Sequence, residues 1–166
     1  DFSAVAGTWQ VIDSQYSLNA QNADGISVLT LAEDVPEDFE IGVTMNVSSL
    51  SGFAKNAFIV FDYISEDDFK FAGALVGGGR WTIGEYVNGS RRFLTKSGGQ
   101  MATDTDLAIS LLYQGNTATL KSDGDSVLEW QFNDAGNDGK FGMLAINAQV
   151  DFDDFYAKAV DAAMGE

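Results

Sequence analysis

Histidine and cysteine are both absent from the 166 residues, proline occurs once, and nine basic side chains face 25 acidic ones. Each absence removes a class of chemistry. Without histidine there is no imidazole general base and no Ser-His-Asp triad. Without cysteine there is no thiolate nucleophile, no disulfide staple and none of the usual zinc, copper or iron ligand sets. What remains is oxygen chemistry: carboxylates, amides, hydroxyls and hard cations such as calcium. A formal charge of −16 argues against nucleic acid and against an anionic membrane surface, because both need a basic face. No run of about 18 apolar residues occurs, and no charged-apolar leader precedes the first strand pattern, so no membrane insertion is expected. A chain without cysteine suits a reducing cytosol or an extracellular bacterial setting.

What is present reads as sheet. Apolar residues make up 45% of the chain, a normal globular share, and 18 glycines against one proline point to turns and bulges built on glycine. The length fits one domain over residues 1–166. Short runs of Val, Ile, Thr and aromatics alternate with Gly, Asn, Asp and Ser clusters, the pattern of an antiparallel all-β protein. Strands are predicted at Thr8–Ile12, Ser27–Ala32, Phe39–Val47, Ala57–Tyr63, Phe69–Val76 and Arg80–Val87. The series continues with Arg91–Lys96, Leu107–Tyr113, Thr117–Ser122, Ser126–Phe132, Phe141–Asn147 and Asp153–Ala159. So many strands exceed an immunoglobulin sandwich and favour a larger jelly roll of two antiparallel sheets. Asn88-Gly89, Gly115-Asn116 and Asp123-Gly124 fall between strands, where tight hairpins need them. Ala157 to Met164 is read as a short helix or frayed end.

The order of several motifs carries a family resemblance. Gly7-Thr8-Trp9-Gln10-Val11 with Tyr16 is followed by Asp38-Phe39-Glu40-Ile41-Gly42-Val43 and by Ala57 to Tyr63. Asp67 to Gly73, Trp81-Thr82-Ile83-Gly84-Glu85 and Phe152-Asp153-Asp154-Phe155 complete the series. Together they resemble the concanavalin-A-like (laminin-G-like) jelly-roll domains of large bacterial surface and biofilm adhesins. The resemblance implies a module linked to carbohydrate binding or to spacing along a stalk, often with calcium.

All three arginines lie between Arg80 and Arg92, a cationic island on an acidic body. Trp81 and Tyr86 adjoin it and the run Gly77-Gly78-Gly79. Exposed aromatics beside guanidinium groups suit a sugar, because rings stack on C–H faces while the planar donors reach hydroxyls or carboxylates. Arg80, Trp81, Tyr86 and Arg91 are therefore the expected ligand face; the competing reading is a neutralising surface pair with Trp81 covering a sheet edge. For calcium, Asp151, Asp153 and Asp154 are candidates, with Asp1 from a neighbouring first strand. Alternation prevents Asp153 and Asp154 from reaching one ion without a bulge; the resemblance implies a structural ion near the paired terminal strands, and Asp153, with backbone carbonyls and Asp1, is the expected ligand set. The loop Asn133 to Gly139 offers oxygens but lacks EF-hand spacing.

The resembled fold also hosts glycoside hydrolases, which carry a Glu-x-Asp-x-Glu type array on one strand; this sequence has none. Glu37 and Glu40 read as charges at a strand start, and Glu85 is the lone carboxylate in a plausible cleft. A single acid cannot serve both acid and base roles. The expected protein is a non-catalytic, monomeric, glycan-binding module of a bacterial surface adhesin, extracellular and calcium-associated, flanked by further adhesin domains. A spacer module that binds no ligand and a hydrolase-like domain are the alternatives.

Overall fold

Strand Phe39–Val47 shows how this sequence makes sheet: Phe39, Ile41, Val43, Met45 and Val47 are buried, while Glu40, Thr44 and Asn46 on the other face are only half-buried. Period-two placement of bulky apolar side chains gives one face to the core. The computed structural model describes residues 2–6, 8–12, 14–29, 37–49, 55–133 and 140–160, nearly all in strands. In chain order these are β1 (Phe2–Ala6), β2 (Thr8–Ile12), β3 (Gln15–Leu29), β4 (Phe39–Val47), β5 (Asn56–Ser65) and β6 (Asp68–Leu75). After a single 3-10 turn at Val76–Gly78 follow β7 (Arg80–Val87), β8 (Ser90–Gly98), β9 (Asp106–Gln114), β10 (Thr117–Ser122), β11 (Asp125–Gln131) and β12 (Lys140–Ala159).

Every pairing is antiparallel. The strands run β11-β10-β9-β4-β12-β5-β6-β7-β8, and the two ends of this order meet again. Ser97 Oγ of β8 donates to the Val127 carbonyl of β11 at 3.1 Å. The ribbon therefore folds over at β12 into two layers. β3 follows one edge of β12, while the other edge pairs first with β5 and then with β4. Layer one is β12-β5-β6-β7-β8; layer two is β12-β4-β9-β10-β11.

Between the layers lies an aromatic core. Phe39 stacks on Tyr113 with centroids 5.2 Å apart, tilts against Phe141 at 4.6 Å and meets Phe61 edge-on at 6.4 Å. Burying each such ring stabilises by roughly 1.5–3 kcal/mol. A second apolar cluster, Phe58, Val60, Phe69, Phe71, Tyr86, Leu144 and Ile146, sits on the outer face of layer one and is equally buried.

The expected strands Thr8–Ile12, Phe39–Val47, Arg80–Val87 and Thr117–Ser122 appear with those bounds. Asn88 and Gly89, at φ 52° and 77°, and Asp123 and Gly124, at φ 50° and 86°, form the expected hairpins with both central residues left-handed. Two differences matter. The expected strand at Ser27 is the end of a 15-residue β3, and the two closing strands are one 20-residue β12. Residues 157–159 are strand, not helix, and 161–164 lie outside the described residues, as do 134–139 of the expected loop.

Replacing Phe39 by Ala should cost about 3–5 kcal/mol, the usual loss for a large core aromatic. Exposed Ile64 replaced by Ala should stay within about 0.5 kcal/mol of the parent. Urea unfolding of both variants checks the contrast.

Candidate functional site

The expected ligand face does not assemble. Trp81 and Tyr86 are five residues apart on one strand, so alternation sends them to opposite sides of β7. Trp81 enters the sandwich, 4% exposed, with its indole edge against Gly99. Tyr86 is 8% exposed on the outer face and stacks on Phe69 with centroids 4.4 Å apart. Burial of these rings outweighs any use as exposed platforms, which corrects the expectation for both. Arg80 and Arg91 are exposed, but Arg80 begins β7 while Arg91 pairs with Tyr86 near its end, about 20 Å along the strand. Only Arg91 and Tyr86 meet: Arg91 Nη1 donates to the Tyr86 hydroxyl at 3.4 Å, and the guanidinium lies 5.6 Å from the Phe93 centroid.

The calcium candidates also separate. Asp1 lies outside the described residues. A bulge does follow Asp153, with Asp154 at φ 53°, but Asp153 Oδ1 accepts from the Asp154 backbone N–H at 2.8 Å. Asp151 Oδ1 accepts from Ser17 Oγ at 2.6 Å. Among the described residues no group of three acidic side chains is placed to hold a metal.

The same bulge creates a different feature. Val150 and Phe152 point into the core, and so do Phe155 and Ala157, so the inward parity changes between Phe152 and Phe155. Tyr156 is thereby turned outward, 43% exposed, onto the outer face of layer two. It pairs with Gly42 of β4, and its ring occupies the space a Cβ at Gly42 would take. Glycine inside a strand marks such a close approach. The phenol donates to Glu40 Oε2 at 3.1 Å, and Lys158 Nζ lies 3.2 Å from the same oxygen and 5.7 Å from the ring centroid. A groove of about 470 Å³ runs beside the ring, lined among others by Thr44, Ser110, Lys121, Asp123 and Asp154. Partial burial, the Glu40 charge and the hydrogen bond to Glu40 raise the phenol's pKa above 10.0, against a smaller lowering by the Ser110 hydroxyl. An aromatic ring set over a glycine and rimmed by hydroxyls, carboxylates and ammonium groups can stack on a C–H face while its neighbours exchange hydrogen bonds.

Of the two outer faces, that of layer one is filled with buried apolar side chains, whereas that of layer two is polar and open. Glu85 lies away from the groove, at the mouth between the layers. The sequence reading missed Tyr156 because it carries one alternation through the expected strand Asp153–Ala159, and the bulge at Asp154 resets that alternation inside it. Gly42 between Ile41 and Val43 was the available signal.

No family model matches the chain, and no curated protein matches it. Solved structures do. A carbohydrate-binding module, CBM66 from Bacillus subtilis, superposes with a TM-score of 0.84 at 13% identity, covering 95% of each chain. The exoplasmic/lumenal domain of VIP36, bound to Ca²⁺ and Man3GlcNAc, gives 0.75 at 12% identity over 97% of this chain and 84% of its own. A protein from Parabacteroides distasonis, described provisionally as a glycosyl hydrolase, gives 0.62 at 12% identity over 95% and 85%. The fold is the concanavalin-A-like jelly roll. At these identities the likeness is one of fold, reached with different side chains.

The raised phenol pKa is directly testable. In a spectrophotometric titration, the difference between the parent and Tyr156→Phe should give a midpoint above 10.0, and Glu40→Gln should move that midpoint down. An unchanged midpoint in Glu40→Gln would remove Glu40 as its cause.

Proposed function

We propose that this chain is a non-catalytic carbohydrate-binding module and that its sugar lies in the groove beside Tyr156. The observation that carries the reading is Tyr156 itself, a large ring held outward on glycine in an otherwise polar strand face. Buried apolar area is what most aromatics in this chain provide; this ring is kept available at a position where alternation without the bulge would turn it inward. Stacking on such a ring contributes about 0.5–1.5 kcal/mol, and hydroxyl and charged groups on the rim supply orientation. A carbohydrate-binding module and a mannose-oligosaccharide-bound domain among the similar folds support the same substrate class. Within the groove Glu40 already has two partners, Tyr156 and Lys158, a positioning role that favours binding over hydrolysis.

The wider setting proposed is an extracellular one, a monomeric domain of a bacterial surface adhesin facing cell-surface polysaccharide, with further domains beside it. The net charge of −16 suits a salty exterior. Calcium enters only as a structural ion outside the groove, and not one shared by Asp153 and Asp1: Phe2, the neighbour of Asp1, pairs with Leu29 opposite Phe141, at the far end of β12 from Asp153. No contact in the groove depends on it.

A glycan array with the purified protein, in millimolar calcium and in excess chelator, tests the reading. A sugar class should be retained in both conditions and its affinity should fall about tenfold in Tyr156→Ala. Retention of no glycan by the folded protein would favour a spacer role, and release of reducing sugar would favour a hydrolase.

A further inference from the structure

Four charged residues cross layer one in sequence of sign. Lys70 of β6 pairs in register with Phe61, the neighbour of Asp62; Glu85 of β7 pairs with Lys70; Arg92 of β8 pairs with Glu85. The row therefore reads Asp62, Lys70, Glu85, Arg92, alternating negative and positive from the interior outward. Its inner half is closed: Lys70 and Asp62 are buried and joined as an ion pair, with Lys70 Nζ 5.2 Å from the Phe132 centroid. Its outer half is not. Opposite charges facing each other across neighbouring strands ordinarily attract. Yet among the described residues Glu85 and Arg92 form no ion pair with each other or with a third group. A register shift between Ile83 and Gly84, just before Glu85, accompanies this open arrangement.

Glu85 and Arg92 instead line a cleft of about 410 Å³ with Leu94, Trp130, Phe132 and Asn133. It lies between the edge strands β8 and β11. The contact of Ser97 with the Val127 carbonyl ties those strands together farther along and so gives the cleft a closed end. Trp130 is half-buried in its wall, while Arg92 is exposed.

We propose that this cleft is a second saccharide subsite, separate from the Tyr156 groove, which takes the vicinal diol of a neutral sugar at the end of a chain. A guanidinium offers only donors and a carboxylate only acceptors. Held apart across one cleft, the two are bridged by a group that both accepts and donates at neighbouring positions. A pair of adjacent hydroxyls does this: one accepts from Arg92 and the other donates to Glu85. The Trp130 indole then covers the C–H face of the sugar, and Leu94 and Phe132 supply an apolar floor. Neutrality follows from the balance of charge. Glu85 and Arg92 cancel within the cleft, and the body's −16 repels an acidic ligand. The closed end favours a terminal residue over the middle of a chain.

Tryptophan fluorescence of the full chain tests this with methyl α-mannoside, methyl α-glucoside and methyl β-galactoside as neutral probes and glucuronate as the acidic one. A saturable change is expected with at least one neutral glycoside. It should be absent in Trp130→Phe and weakened about tenfold or more in Glu85→Gln and in Arg92→Lys. Both conservative variants should melt at the parent's temperature, since neither side chain is core. Tyr156→Ala should leave the response intact, so failure of the groove reading would not disturb it. A response to glucuronate alone, a response unchanged in Glu85→Gln and Arg92→Lys, or no response to any neutral probe would overturn the proposal.

Discussion

One strand serves both layers, and the rest of the molecule is arranged around that constraint. Along β12, Phe141, Met143 and Ala145 face the space between the layers, while Leu144 and Ile146 face the outer cluster. Beyond Asn147 the inward residues are Ala148, Val150 and Phe152, of the opposite parity. A strand that kept strict alternation would turn its whole apolar set to the wrong face after passing from one layer to the other. Asn147, left-handed at φ 49° where the register with β3 shifts, resets the alternation and prevents this, and its carbonyl accepts from the Lys55 N–H at 3.1 Å. Layer one can then leave through β5 and layer two through β4 from the same edge of a single strand.

The second bulge repeats the device for a different end. After Phe152 the parity changes again, Phe155 and Ala157 go inward, and Tyr156 is left outside over Gly42. Bulges are known to re-aim side chains beside functional sites. Here one bulge preserves a core and the other takes a ring out of it. That difference separates structural from functional use of the same backbone irregularity, and it places the groove on the only outer face among the described residues that is polar and open.

Much of this was legible in sequence, and the failures share a cause. Period-two patterns locate most strands because each has one apolar face, and paired left-handed residues at Asn88-Gly89 and Asp123-Gly124 locate two hairpins. A bulge resets the period, so β12 reads as two strands ending at Asn147 and resuming at Asp153. β3 holds Ser17, Asn19, Gln21, Asn22 and Asp24, too polar a run to read as sheet, and is paired along its length by β12. The grouping of Arg80, Trp81, Tyr86 and Arg91 relied on closeness in sequence. On a strand, the parity of a five-residue separation already divides Trp81 from Tyr86. Glu85, read as the one carboxylate in a cleft, does line one, because its parity matches that of Trp81 and Ile83 on the inner face near an open end.

The buried Lys70–Asp62 pair is poorly explained by stability. Two charges taken from water lose solvation that their mutual attraction scarcely restores, and apolar residues of similar size often serve as well or better. Asp62 even adopts a left-handed backbone, φ 48°, beside a bulge in order to reach inward. The pair gains a purpose from where it stands. It terminates the row that ends in Glu85 and Arg92, so a cation already matched to Asp62 lies behind the cleft and Glu85 is left facing the cleft with its own charge available. Deleting the inner pair in favour of hydrocarbon would keep the fold's packing while changing the field at Glu85. Conservation of volume and conservation of that field are therefore separable requirements at this end of the sandwich, and the charged solution satisfies both.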